Sequence, residues 1–233
     1  MKKSGLKVLM AVVTAATMAG CGKPSIPTDA CRVDKAAVLT PAYSDSLTLP
    51  VNIAPLNFCV EGGRETVVCI TAPNGQQLVT DGLETDFPVD DWHRLLAAAQ
   101  GDWLTVDIYQ RNDTWQQLRS LHWYVAPDSI DPYLVYRLIE PSYVAYEKLT
   151  IEQRSLESFD TQVLYDNMAQ SQGENGQCVN CHSFQQWNTT GRWQLHFRQN
   201  FGGTLVAQGD RLERIAIQSE QQGDGGVYVR GGV

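Results

Sequence analysis

The chain predicts an α+β fold: an N-terminal antiparallel, β-sandwich-like domain followed by a smaller mixed segment. Three observations lead there. Up to about residue 127, short alternating or β-branched runs recur between turn signals. A single amphipathic stretch long enough for a helix interrupts them. Beyond Pro127 the alternation gives way to an aromatic-rich stretch of irregular spacing. Strand runs joined by short turns favour sheets built from hairpins.

In chain order, residues 29 to 46 lack a period. Leu47 to Val60 is extended, and Pro50 and Pro55 assign it to an edge, because proline cannot donate to a central ladder. Glu65 to Thr71 is a β-branched strand, Pro73-Asn74-Gly75 a turn and Gln77 to Thr80 its return. Val89 to Gln100 reads as a helix capped by Asp90 or Asp91. Trp92, Leu95, Leu96 and Ala99 form its apolar stripe, and Gly101 ends it. Trp103 to Gln110 alternates, Arg111-Asn112-Asp113 turns, and Trp115 to Val125 returns. Tyr133 to Phe159 is expected as short helices and turns, and Asp160 to Ala169 as a helix. The resulting division is a leader at 1–20, a tether at 21–30, a β-rich domain at 31–127, a second domain at 128–218 and a Gly-rich tail at 219–233.

The leader has Lys2, Lys3 and Lys7 before an uncharged, mostly apolar run from Val8 to Met18. That run is shorter than the ~20 residues a membrane span needs, so it reads as a secretory signal. Met18-Ala19-Gly20-Cys21 resembles a bacterial lipobox, in which Cys21 is lipidated, with a palmitate-type acyl chain, and becomes the first mature residue. This places the chain in the bacterial cell envelope, lipid-anchored, periplasmic or outer-membrane associated. Three lysines leave with the leader and no acid does. That leaves 15 basic against 26 acidic residues, a net charge of −11. Such a surface argues against nucleic acid or anionic lipid as a partner and leaves attachment to the membrane to the acyl chains.

Six cysteines sort by role. Cys178-Val179-Asn180-Cys181-His182 is a C-x-x-C-H run, the attachment signature of covalent haem c. Each thiol forms one thioether to the porphyrin, and the imidazole reaches the iron from one side. Downstream there is no methionine and one further histidine, His196, in the alternating run Arg192 to Arg198. His182 and His196 are therefore the expected axial ligands of a single haem. Phe184, Trp187, Trp193 and Phe197 are candidates for its apolar wall, and Arg192 or Arg198 for a propionate partner. His93 and His122 stand at no metal-binding spacing. Of the remaining thiols, Cys59 and Cys69 are expected as a disulfide across a hairpin turned by Glu61-Gly62-Gly63-Arg64. Cys31 is left over, in a compartment where disulfides persist.

Several of these runs resemble a segment of Bacteroidetes lipoproteins of the TolB-like/PD40 propeller class that carry a c-type haem motif. The similarity lies in Asp131-Pro132-Tyr133-Leu134-Val135-Tyr136-Arg137-Leu138-Ile139-Glu140-Pro141, Gln153 to Phe159, Cys178 to Phe184, His196 and Gly202-Gly203-Thr204. Asn52 to Phe58 resembles the opening of that class's N-terminal β domain. The resemblance implies an envelope lipoprotein whose haem segment leads into a β-propeller. No propeller repeats follow here; the Gly-rich tail from Ser219 resembles no blade.

The expected function is single-electron transfer by a lipid-anchored, c-type cytochrome-like protein working with a redox or envelope protein partner. The alternative is an envelope binding or scaffold lipoprotein in which the haem is structural or sensory. No acid–base pair accompanies the motif, so no catalytic residue is assigned and an electron carrier or binding protein is expected before an enzyme.

Overall fold

The protein's computed structural model describes residues 24–139, 149–169, 178–198 and 202–215. The leader, Cys21, Tyr143, Tyr146, the loop before Cys178 and the Gly-rich tail lie outside those residues. Within them the fold is α+β, with several sheets and one α-helix.

The N-terminal body holds β1 (Cys31–Arg32), β2 (Leu39–Thr40), β3 (Ser46–Leu49), β4 (Cys59–Val60), β5 (Glu65–Thr71) and β6 (Gln77–Asp81). Helix α1 (Val89–Ala98) and β7 (Trp103–Arg111), β8 (Trp115–Gln117) and β9 (Leu121–Val125) follow. β7 organises the main sheet. It pairs antiparallel with β5 along one side; on the other, β9 takes its first half and β8 its last residues. β6 extends β5 antiparallel, whereas β1 and β3 add parallel to β8 and β9. The strands expected over Glu65 to Thr71, Gln77 to Thr80 and Trp103 to Gln110 and the turn at Asn74-Gly75 appear. The extended run expected over Leu47 to Val60 is strand only in β3, at the sheet edge, and in β4, with Pro50 ending β3.

Alternation along β5 sends Val68 and Ile70 to one face and Val67 and Cys69 to the other. The first face is covered by α1 and by the two-stranded ladder β2–β4, with Leu39, Val60, Trp92, Leu95, Leu96 and Trp123 in one buried cluster. The second layer is thus a helix and a short ladder. Helix α1 starts after Pro88 without a side-chain cap; Asp90 and Asp91 lie in its first turn, where the helix dipole favours acids. Gly101, at φ +77°, adopts the left-handed conformation that turns the chain into β7. The other face is covered by the N-terminal segment. Ile26 and Ala30 pack on Val67, Cys69 and Tyr109, so the expected tether is part of the body from Pro24 on.

The hairpin expected between Cys59 and Cys69 does not form. Cys59 stands opposite Thr40 and bridges Glu84, while Cys69 stands opposite Val79 and Asp107. Both thiols are unbonded in this structure, as is Cys31. Burial raises the pKa of the Cys69 thiol, and Asp107 adds to the shift against a hydrogen bond from Thr71.

The second module departs most from expectation. The short helices expected over 133–159 and the helix over 160–169 are strands: β10 (Tyr133–Leu138), β11 (Thr150–Ser155) and β12 (Thr161–Asp166), an antiparallel meander. An isolated helix this short is costly to nucleate, while pairing with β11 satisfies the backbone groups on one side of β12. A second meander follows with β13 (Cys178–Phe184), β14 (Arg192–Arg198), β15 (Gly203–Gln208) and β16 (Arg211–Ile215). The two meanders meet over Ile151, Val179 and Leu195, with Val135, Tyr165, Trp193 and Phe197 packed around them.

Asn52 joins the two bodies. Its Oδ1 accepts the Ile130 N–H at 2.9 Å, and its Nδ2 donates to Ile130 O at 2.9 Å and Glu157 Oε1 at 2.7 Å. The Ala54 N–H donates to Leu156 O at 2.7 Å.

Candidate functional site

The C-x-x-C-H run is strand β13, and His196 lies on its neighbour β14, in the strand its alternation predicts. A 3-10 turn over Gln185–Asn188 and Gly191, at φ +62°, return the chain. The register then settles which residues meet. Cys178 stands opposite Arg198 and Val179 opposite Phe197. Asn180 is an extra residue, a β-bulge, and after it Cys181 stands opposite His196, His182 opposite Leu195 and Phe184 opposite Trp193.

Directly opposed residues on paired strands share a face. Cys181 and His196 are therefore cross-strand neighbours on one face. Thr204 of β15 continues that row, and its Oγ1 lies 3.0 Å from His196 Nδ1. A partner on Nδ1 fixes the ring's orientation and directs Nε2 to any metal. Sequence reasoning assigned no such role to Thr204.

His182 lies on the opposite face. Its ring meets Phe184 edge-on, at 6.0 Å between centroids, and Phe184 stacks on Trp193 at 5.8 Å. This is the face that packs on the first meander through Val179 and Leu195. Tyr165 and Phe197 meet there edge to face at 5.4 Å, and burial raises the Tyr165 phenol's pKa, with Asp166 adding to it. The buried Asn167, at the end of β12, accepts the Val179 N–H at 3.0 Å and so pins the start of β13. This anchoring contact was not foreseen. An asparagine in an apolar setting is its only sequence signal.

The geometry bears directly on haem. Two axial imidazoles must approach one iron from opposite sides, and both thiols must reach the same porphyrin edge. In the paired sheet, His182 and His196 occupy opposite faces, so they do not surround one porphyrin as the strands stand. Both could do so only with β13 released from β14, and Asn180 is where that ladder is already interrupted.

Of the other expected wall and propionate residues, Trp193 and Phe197 are half-buried, and Arg192 and Arg198 are exposed. His93 on α1 and His122 on β9 belong to the N-terminal body. Among the described residues, no three His, Cys, Asp or Glu side chains cluster as a metal site, and no helix is long and apolar enough to cross a membrane. No family model matches the chain, and no curated protein matches it.

Proposed function

We propose that the chain is a lipid-anchored protein of the bacterial cell envelope. Its second module is a haem-binding segment that carries one covalent haem c and passes single electrons to a protein partner. One observation supports this above all: the Cys178–His182 run and His196, called from sequence as parts of one site, lie on adjacent strands with Cys181 and His196 directly opposed.

The group would supply a one-electron couple. The chain's own residues would do the rest. Cys178 and Cys181 would hold the group covalently, and His182 and His196 would ligate its iron. Thr204 would keep His196 in one orientation, and Arg192 or Arg198, both exposed on β14, would pair with a propionate. Because His182 and His196 occupy opposite faces of the paired sheet, attachment is expected to draw β13 out of its ladder. The thin core of this module makes that exchange affordable.

Co-expression with a c-haem maturation system tests the proposal. The expected product is red, keeps its haem through acid–acetone extraction, and loses it when Cys178→Ser and Cys181→Ser are combined. A colourless product with both thiols open to alkylation overturns the proposal. In the red protein, ferric spectra should be low-spin. His196→Ala should turn the iron high-spin and open it to carbon monoxide; an unchanged low-spin spectrum removes His196 from the site.

A further inference from the structure

The N-terminal sheet has two ends, and the chain uses them differently. At one end lie Glu65 of β5, Arg111 of β7 and Trp115 of β8, in mutual register, and Asp81, the last residue of β6, opposite Val67. Pro24 and Ser25 line a cleft at this end together with Arg64, Glu65, Leu83 and Trp115. At the opposite end lie Thr71, the turn at Asn74-Gly75, Gly101 and Val125. The second module departs from that opposite end. It follows Val125 in the chain and is clamped by Asn52, just beyond the Leu49 that pairs with Val125.

The leash at the first end is short. Cys21 is three residues before Pro24, a span of at most about 11 Å when fully extended. From Pro24 on the chain is committed to the body, with Ile26 and Ala30 packed on the sheet and β1 paired with β8. Between the two ends runs β7, nine residues long, or about 30 Å at ~3.3 Å per residue.

We infer that the N-terminal body is a standoff. Its Arg64–Leu83–Trp115 edge rests against the bilayer surface, and its far end presents the second module to the aqueous space, where a partner outside the bilayer reaches it. This rests on the proposed lipidation of Cys21. The edge suits a lipid surface. Leu83 is half exposed, and Trp115 lies under the Arg111 guanidinium, 5.9 Å from its ring centroid; tryptophan favours the headgroup level. Glu65 and Asp81 beside Arg64 and Arg111 form a mixed-charge set. That favours zwitterionic headgroups over an anionic leaflet.

The test uses the full mature chain, lipidated in cells and placed in phosphatidylcholine nanodiscs doped with a gadolinium-headgroup lipid. Mass spectrometry first establishes whether Cys21 carries lipid. The methyl signals of Leu83 should then be lost, while those of Ala72 at the far end and Val179 in the second module are retained. Inserting a flexible Gly-Ser stretch between Lys23 and Pro24 should abolish that contrast. Three outcomes overturn the standoff while leaving the anchor in place. They are equal broadening at Leu83 and Ala72, loss of Val179 first in the lipidated protein, or a contrast that survives the insertion. A chain without lipid on Cys21 instead refutes the anchor, and the standoff with it.

Discussion

The two bodies of this molecule cover their sheets on very different scales. Among the described residues, nineteen buried side chains form one cluster in the N-terminal body, whereas Ile151, Val179 and Leu195 are the buried members of the cluster in the second module. In the first, Trp123 is fully buried with Tyr43 and Phe58 edge-on to it at 6.1 and 6.2 Å. In the second, Leu134, Leu138 and Val163 stay half exposed on the outer face of the β10–β12 meander. Apolar burial is the main favourable term in folding, so the first body should behave as a rigid support. The second depends on ladder hydrogen bonds and a thin apolar seam. Such regions open at lower free energy. The proposed site lies in the part that opens more easily, and the anchor in the part that does not.

The largest expected effect that tests this contrast is in the N-terminal body. Trp123→Ala should cost about 3–5 kcal/mol, read as a lowered urea midpoint for the whole chain. Ile151→Ala should cost about 2–5 kcal/mol within the second module only. Amide exchange should accelerate across β13 and β14 while Val67 to Thr71 stays protected. If both variants instead unfold the entire chain in a single coincident transition, the two bodies are one cooperative unit and the comparison fails.

A smaller change sharpens it. Asn167→Ala leaves the Val179 N–H without its acceptor, a loss of about 1–3 kcal/mol. The expected readout is faster exchange at the start of β13 with no change in the N-terminal sheet. Equal protection in variant and parent would show that this contact does not hold β13 in place.

The smallest effect concerns titration. Burial raises the pKa values of Cys69 and Tyr109, so the folded body favours their neutral forms. Their contribution is complete below the unfolded-state thiol value of about 8.5 and declines as pH rises through the folded values. The midpoint of the N-terminal body should therefore fall above that pH. Exposed Cys31 should alkylate quickly at neutral pH and buried Cys69 only on global unfolding. Fast labelling of Cys69 in the folded protein would contradict its burial.

Period and composition alone determined much of this protein. Strands β5, β6, β7 and β9, the turn at Asn74-Gly75, helix α1 with Trp92, Leu95 and Leu96 inward, and a strand carrying His196 all follow from local alternation. So does the C-x-x-C-H run, because that signal is a spacing between neighbours. What local pattern does not carry is the choice of partner. β1 and β3 join their neighbours in parallel, β4 pairs with β2 and so leaves Cys59 away from Cys69, and β10 to β12 form a meander where helices were expected. Each depends on backbone groups finding partners far along the chain. The side of the sheet that each motif residue occupies was decided in the same way. Alternation has a period of two, so the one extra residue at Asn180 sets Cys181 beside His196 and sends His182 to the other face. Residue identity announced the chemistry, but only the paired strands decided which of those residues stand together.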